Sequence, residues 1–308
     1  MTDSRWTTTN IPDQTGRSFV ITGANSGLGY AMTRELARAG GEVVMAVRNR
    51  DKGARALAEI ADLVPGAKLE LRQVDLADLD SVRAFAAALR ADGRPVDVLV
   101  NNAGVMMPPR TLSPQGHEIQ FAGNHLGHFA LTRLLLDGLR LDHDPRVVTV
   151  SSSLHRRGRI HFDDLTGERR YSPTRYYAQS KFANVLFGLE LDRRLRASGS
   201  PVRSLLAHPG YSATNLQTTG PTGVLNGFLR IGNRFFAQDV DQGVLPQLYA
   251  AVEPAAESGQ FIGPDGRGES RGYPTMVRPV ASATDPALAR RLWDLSEQLT
   301  AVPATATS

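Results

Sequence analysis

The chain has 308 residues, enough to bury a sizeable core, and its 41% apolar and 21% charged content excludes a disordered or collagen-like class. Cysteine is absent, which excludes disulfides, thiolate metal sites, iron–sulfur clusters and a cysteine nucleophile, and makes a reducing cytoplasm the expected location. The net charge of +4 comes from scattered arginines without a basic stripe interleaved with aromatics, so there is no nucleic-acid-binding signature.

In chain order, the N-terminal MTDSRWTTTNIPDQ lacks the apolar run of a signal peptide. No later stretch reaches the ~18 uncharged apolar residues of a spanning helix. Short β-branched runs then predict strands at residues 18–22, 42–47, 68–74, 96–101, 146–151, 202–207 and 260–263. Between them, GYAMTRELARAG, KGARALAEIADL and SVRAFAAALRAD repeat at helical period. Such βα alternation requires crossover helices, so a mostly parallel seven-stranded sheet covered on both faces is expected, a doubly wound α/β fold in one domain over 1–308. Ligands of that architecture bind outside the carboxyl ends of the strands. The tail at 301–308 reads as frayed.

The first strand runs into Thr22-Gly23-Ala24-Asn25-Ser26-Gly27-Leu28-Gly29 and then a helix. Glycines let that turn approach a pyrophosphate, whose charge is met by the amides of the helix N-terminus. Later strand ends carry Asp75-Leu76, Asn101-Asn102-Ala103-Gly104, Asn124 in GNHLGH, Ser152 in VTVSSS, and Pro209-Gly210 with Thr214. Tyr177 and Lys181 stand four apart in a helix-forming stretch, so both side chains share one face. A neighbouring ammonium favours the phenolate and is expected to bring Tyr177 toward the working pH range of an acid–base catalyst. Tyr176 is followed four residues later by Ser180 instead. The seven histidines show no ligand spacing, and no metal is predicted.

The Thr-Gly-x3-Gly-x-Gly spacing together with these later motifs resembles the short-chain dehydrogenase/reductase family over roughly residues 15–266. The stretches IPDQTGRSFVITGANSGLG and YYAQSKFANVLFGLEL resemble its retinol-dehydrogenase-like and protochlorophyllide-reductase-like branches. The resemblance implies a Rossmann-type oxidoreductase with Asn124, Ser152, Tyr177 and Lys181 as catalytic residues. It also implies a cofactor site built from the 22–29 turn, Asp75, Leu76, Asn101, Ala103, Gly104, Tyr177, Lys181, Pro209, Gly210 and Thr214. Asn124 would hold a relay water, Asp75 would meet the adenine ring, and the second of three serines, Ser152, would contact the reacting oxygen. Ser152 lies 25 residues before Tyr177, further than in many family members, because LHRRGRIHFDDLTGERRYSPT intervenes. The helices following Gly116 and Pro173 could form the intersubunit bundle common in the family, although monomers also occur.

At the end of the second strand an NAD site usually carries Asp or Glu, whereas here Val47 is followed by Arg48, with Arg50 close behind. A guanidinium without a competing carboxylate favours a 2′-phosphate, so NADP(H) is expected. The segment at 212–240 carries Leu216, Val224, Leu225, Phe228, Leu229, Ile231, Phe235 and Phe236 among glycines, which suits an apolar substrate lid. The leading expectation is hydride transfer between the nicotinamide and a carbonyl or secondary alcohol of a lipophilic small molecule. Reduction of a conjugated double bond is the enzymatic alternative, and a non-catalytic NADP(H)-sensing protein is the alternative from another class.

Overall fold

The computed structural model describes residues 5–210 and 240–302. Its strands are β1 (Ser18–Thr22), β2 (Glu42–Val47), β3 (Lys68–Gln73), β4 (Val98–Asn101), β5 (Arg146–Val150), β6 (Arg203–Ala207), β7 (Phe261–Pro264) and β8 (Pro274–Met276). They form one sheet in the order β3-β2-β1-β4-β5-β6-β7-β8, parallel through β7 and ending in an antiparallel β7–β8 pair. The doubly wound α/β architecture expected from the sequence is thus present.

Strand periodicity assigns the two core layers. Phe19 and Ile21 of β1 pack on one face with Met32 and Leu36 of α1 (Gly27–Arg38), while Val20 packs on the other with Phe85 and Leu89 of α3 (Leu79–Ala91). With both faces covered, all five residues of β1 are buried. Each large apolar side chain so buried stabilises the fold by about 1.5–3 kcal/mol. The strand order reverses between β1 and β4, which opens a crevice at their carboxyl ends.

Each of the seven predicted strands occurs within two residues of its expected bounds. The eighth, β8, was not foreseen. It has three residues, opens on Pro274 and leaves Met276 66% exposed, so it shows none of the apolar alternation that marks a paired strand, and its proline is tolerated at the sheet edge. Of the 301–308 tail expected to fray, Val302 is buried in the core, and residues 303–308 lie outside the described residues.

The C-terminal helix Pro286–Thr300 lies across the helices Gly127–Leu135 and Pro173–Ala197. Its Trp293 meets Phe129 edge-on at 5.0 Å and stacks on Phe187 at 5.8 Å, with the Arg194 guanidinium 4.3 Å over its ring. The helices considered from sequence for an intersubunit bundle are therefore packed within the chain on this side. Among the described residues no helix is long and apolar enough to cross a membrane.

Candidate active site

The glycine turn is held from the neighbouring strand. The Thr22 hydroxyl oxygen accepts from the Asn102 and Ala103 amides at 2.9 Å each, and Asn102 Nδ2 donates to the Thr22 carbonyl at 2.7 Å. Gly23 and Gly27 adopt φ of 69° and 55°, a left-handed conformation that favours glycine. A Cβ on Gly29 would lie 2.4 Å from the Gly23 carbonyl oxygen and 2.6 Å from Asn102 Nδ2, so only glycine lets helix α1 close on the turn. Ser26 precedes that helix without a side-chain cap, which leaves the first-turn amides directed at the crevice.

Ser152 follows β5, its hydroxyl accepts from the Leu154 amide at 3.2 Å, and its side chain favours the Tyr177 phenolate. Ser151 instead donates to the Lys181 carbonyl at 2.8 Å, and Ser153 begins a 3-10 turn. Tyr177 and Lys181 are one turn apart in the Pro173–Ala197 helix, only 4% and 3% exposed, with Nζ 5.9 Å from the phenol ring centroid. Lys181 Nζ also donates to the Val150 carbonyl at 3.2 Å.

The electrostatics depart from the sequence expectation. Burial pushes the Tyr177 phenol up to about 12 against the opposing bond from Ser152, and burial brings the Lys181 ammonium down to about 8. Desolvation of both charged forms outweighs the attraction of ammonium for phenolate. Tyr177 is consequently a protonated donor at neutral pH. Tyr176 is excluded from such a role by geometry, since its hydroxyl donates to the Asp164 carbonyl inside the 154–174 insertion.

Asn124 sits in a π-helical turn, Ala122–Leu126. Its Oδ1 accepts from the Val105 amide at 2.7 Å, while Nδ2 donates to the Val105 carbonyl and to Ser180 Oγ at 2.9 Å each. The amide therefore anchors the segment after β4, a positioning role absent from the sequence reading. Its backbone carbonyl accepts from His128 Nδ1 at 3.0 Å, and His128 Nε2 accepts from the Thr22 hydroxyl at 2.9 Å. Burial holds His128 neutral, with its pKa down to about 4. This histidine joins the glycine turn to the π-turn, and its place in GNHLGH was the only signal that could have found it.

A model of the short chain dehydrogenase family matches residues 17–222. The chain belongs to the short-chain dehydrogenase family. Retinol dehydrogenase 13 of Homo sapiens is 39% identical over 295 residues, covering 94% of this chain and 86% of that protein. Polyprenol dehydrogenase of Mus musculus is 38% identical over 300 residues, covering 94% and 85%. A crystal structure of an uncharacterized Mycobacterium paratuberculosis protein shares 45% identity at a TM-score of 0.81, covering 98% of this chain and all of that one. A gluconate 5-dehydrogenase from Beutenbergia cavernae with bound NADP shares 29% identity at a TM-score of 0.63, covering 80% and 94%. This short-chain dehydrogenase is thus an oxidoreductase of alcohols and carbonyls in the retinol-dehydrogenase-like branch.

The remaining expected site residues divide by where they point. Gly104 borders the catalytic group, since a Cβ there would lie 3.3 Å from Asn124 Oδ1 and 3.5 Å from Lys181 Nζ. Asn101 ends β4, and its side chain does not face the crevice. It is fully buried and donates to Thr132 Oγ1 at 2.9 Å, into the core, because strand alternation turns it from the crevice. The Asp75 carboxylate accepts from the Ala77 amide at 2.9 Å and shapes its own turn. The Leu76 carbonyl presses on Gly127, where a Cβ would come within 2.1 Å. Val47 ends β2 buried and Arg48 is exposed just beyond it, while Arg50 lines a surface recess with Arg72, Gln73 and Ser81. Pro209 and Gly210 follow β6, with Gly210 at φ 69°. Thr214 and the apolar residues Leu216, Val224, Leu225, Phe228, Leu229, Ile231, Phe235 and Phe236 lie outside the described residues.

Proposed function

We propose that this short-chain dehydrogenase uses NADP(H) to interconvert a carbonyl and an alcohol on a lipophilic small molecule, with Tyr177 as general acid and base. The observation that carries this reading is the buried Tyr177–Lys181 pair, with Ser152 following β5 beside it, at the same sheet edge as the glycine turn. The crowding at Gly29 and the left-handed Gly23 and Gly27 fit a pyrophosphate lying against the backbone. The hydride would come from, or go to, the nicotinamide of the bound cofactor. Tyr177, protonated at neutral pH, gives its proton to the carbonyl oxygen during reduction, and Ser152 bonds the same oxygen as negative charge develops. Lys181 stabilises the phenolate left behind.

NADP(H) is supported by Arg48 beyond the carboxylate-free end of β2 and by the NADP bound in the 29% identical gluconate 5-dehydrogenase. An apolar, isoprenoid-like substrate is supported by the relatives named for retinol and polyprenol and by the apolar residues of the 212–240 segment. The test is NADPH oxidation against lipophilic aldehydes, ketones and enones, retinal among them. Turnover of aldehydes or ketones supports the reading. Turnover of enones alone would replace it with double-bond reduction, and tight NADPH binding without any turnover would replace it with a sensor.

A further inference from the structure

A second polar cluster stands beside the candidate active site, unused by the chemistry above, and its carboxylate, Glu269, lies beyond the 17–222 family match. His208 follows β6 and is fully buried. Its Nδ1 accepts from the Gly210 amide at 3.2 Å, which leaves the ring proton on Nε2, and Nε2 donates to Glu269 Oε2 at 3.0 Å. The other oxygen of Glu269 accepts from Arg156 Nη2 at 2.6 Å. Arg156 belongs to the 3-10 turn Ser153–Arg157, directly after Ser152.

The backbone around this carboxylate is built for the contact. Gly268 and Glu269 both take left-handed φ, 64° and 54°, a conformation that a glutamate keeps only where its surroundings hold it. A Cβ on Gly210 would lie 2.5 Å from the Ser270 carbonyl oxygen, and one on Gly263 would lie 2.3 Å from His208 Nε2. The 268–270 segment is therefore seated directly on Gly210, and space for the His208 ring is reserved by a glycine. The bonds from His208 and Arg156 hold the Glu269 carboxyl well down, to about 2, so it remains an anion throughout the neutral range.

We infer that Glu269 is a positioning residue, one that acts through His208 to set the Pro209–Gly210 backbone and through Arg156 to fix that backbone relative to Ser152. The inference rests on the reading that residues 209–210 meet the nicotinamide end of NADP(H). A carboxylate that bridges both segments holds the hydride-side backbone and the proton-side serine in one frame.

The test separates the two ends of the cofactor. NADPH and adenosine 2′,5′-bisphosphate, which lacks the nicotinamide half, are titrated into wild type, Glu269→Ala and Glu269→Gln, with thermal unfolding followed in parallel. The expected result for Glu269→Ala is NADPH affinity reduced roughly tenfold, with bisphosphate affinity changed less than about twofold and Glu269→Gln between. Equal weakening of both ligands would mark a merely structural residue and overturn the inference, as would unchanged NADPH affinity. Should Glu269→Ala fail to fold, Arg156→Gln carries the same test, with roughly threefold selective loss of NADPH expected and no loss overturning it. Failure of the wild-type chain to bind NADPH while it binds the bisphosphate would instead overturn the cofactor reading beneath it.

Discussion

Lys181 Nζ sits 5.9 Å from the centre of the Tyr177 ring, and burial moves the two groups in opposite directions, the phenol up to about 12 and the ammonium down to about 8. Below about pH 8 the pair is therefore phenol plus ammonium. Above it the ammonium is lost first, because the lowered group deprotonates well before the raised one. Carbonyl reduction should accordingly fall as pH rises through about 8, while Tyr177 still holds its proton. Lys181→Arg, which stays charged, should move that alkaline limb upward. The check is the pH profile of NADPH oxidation at saturating substrate, and an alkaline limb identical in the two proteins would contradict the assignment.

Cofactor choice follows from the end of β2. Val47 offers no acceptor for a ribose 2′-hydroxyl, and Arg48 is exposed immediately beyond it. A charge-assisted bond from Arg48 to the 2′-phosphate should favour NADPH over NADH by roughly ten- to a hundredfold. Arg48→Ala should erase most of that preference by weakening NADPH. Equal affinities in the wild-type protein, measured by titration, would contradict it.

Gly29 tests the closeness of helix and turn. A methyl group there meets the Gly23 carbonyl oxygen at 2.4 Å, and this neighbour is backbone that cannot rotate aside. Gly29→Ala should cost about 1–3 kcal/mol of strain at the turn and weaken NADPH at least roughly tenfold. Calorimetric titration of the folded variant is the check, and unchanged affinity would contradict the close approach.

Trp293 tests whether the C-terminal helix is integral. It is 2% exposed between Phe129 and Phe187, so Trp293→Ala should destabilise the protein by about 3–5 kcal/mol in urea unfolding. A loss under about 1 kcal/mol would mean that the helix is only loosely attached.

What could be read from the sequence was local. Runs such as SFVIT and EVVMAV announce buried parallel strands, and the glycine turn at 22–29 and the Tyr177–Lys181 pair are each contained within a few consecutive residues. What could not be read depends on partners far apart in the chain. His128 meets Thr22 across 106 positions and Glu269 meets His208 across 61, distances at which spacing carries no signal. The inward turn of Asn101 and the engagement of the Asn124 amide with Val105 likewise depend on which strand and helix face each residue occupies. The direction of the Tyr177 shift failed for a related reason. Proximity to Lys181 is visible at a four-residue spacing, whereas burial of the pair is a property of the assembled crevice.

The central claim is that Tyr177 transfers the proton, and Tyr177→Phe isolates it by removing one hydroxyl while keeping the ring. NADPH oxidation with a lipophilic aldehyde or ketone turned over by the wild-type protein should fall by about 10²- to 10⁴-fold, with NADPH affinity and thermal stability nearly unchanged. Wild-type-like turnover in the folded variant would contradict the account.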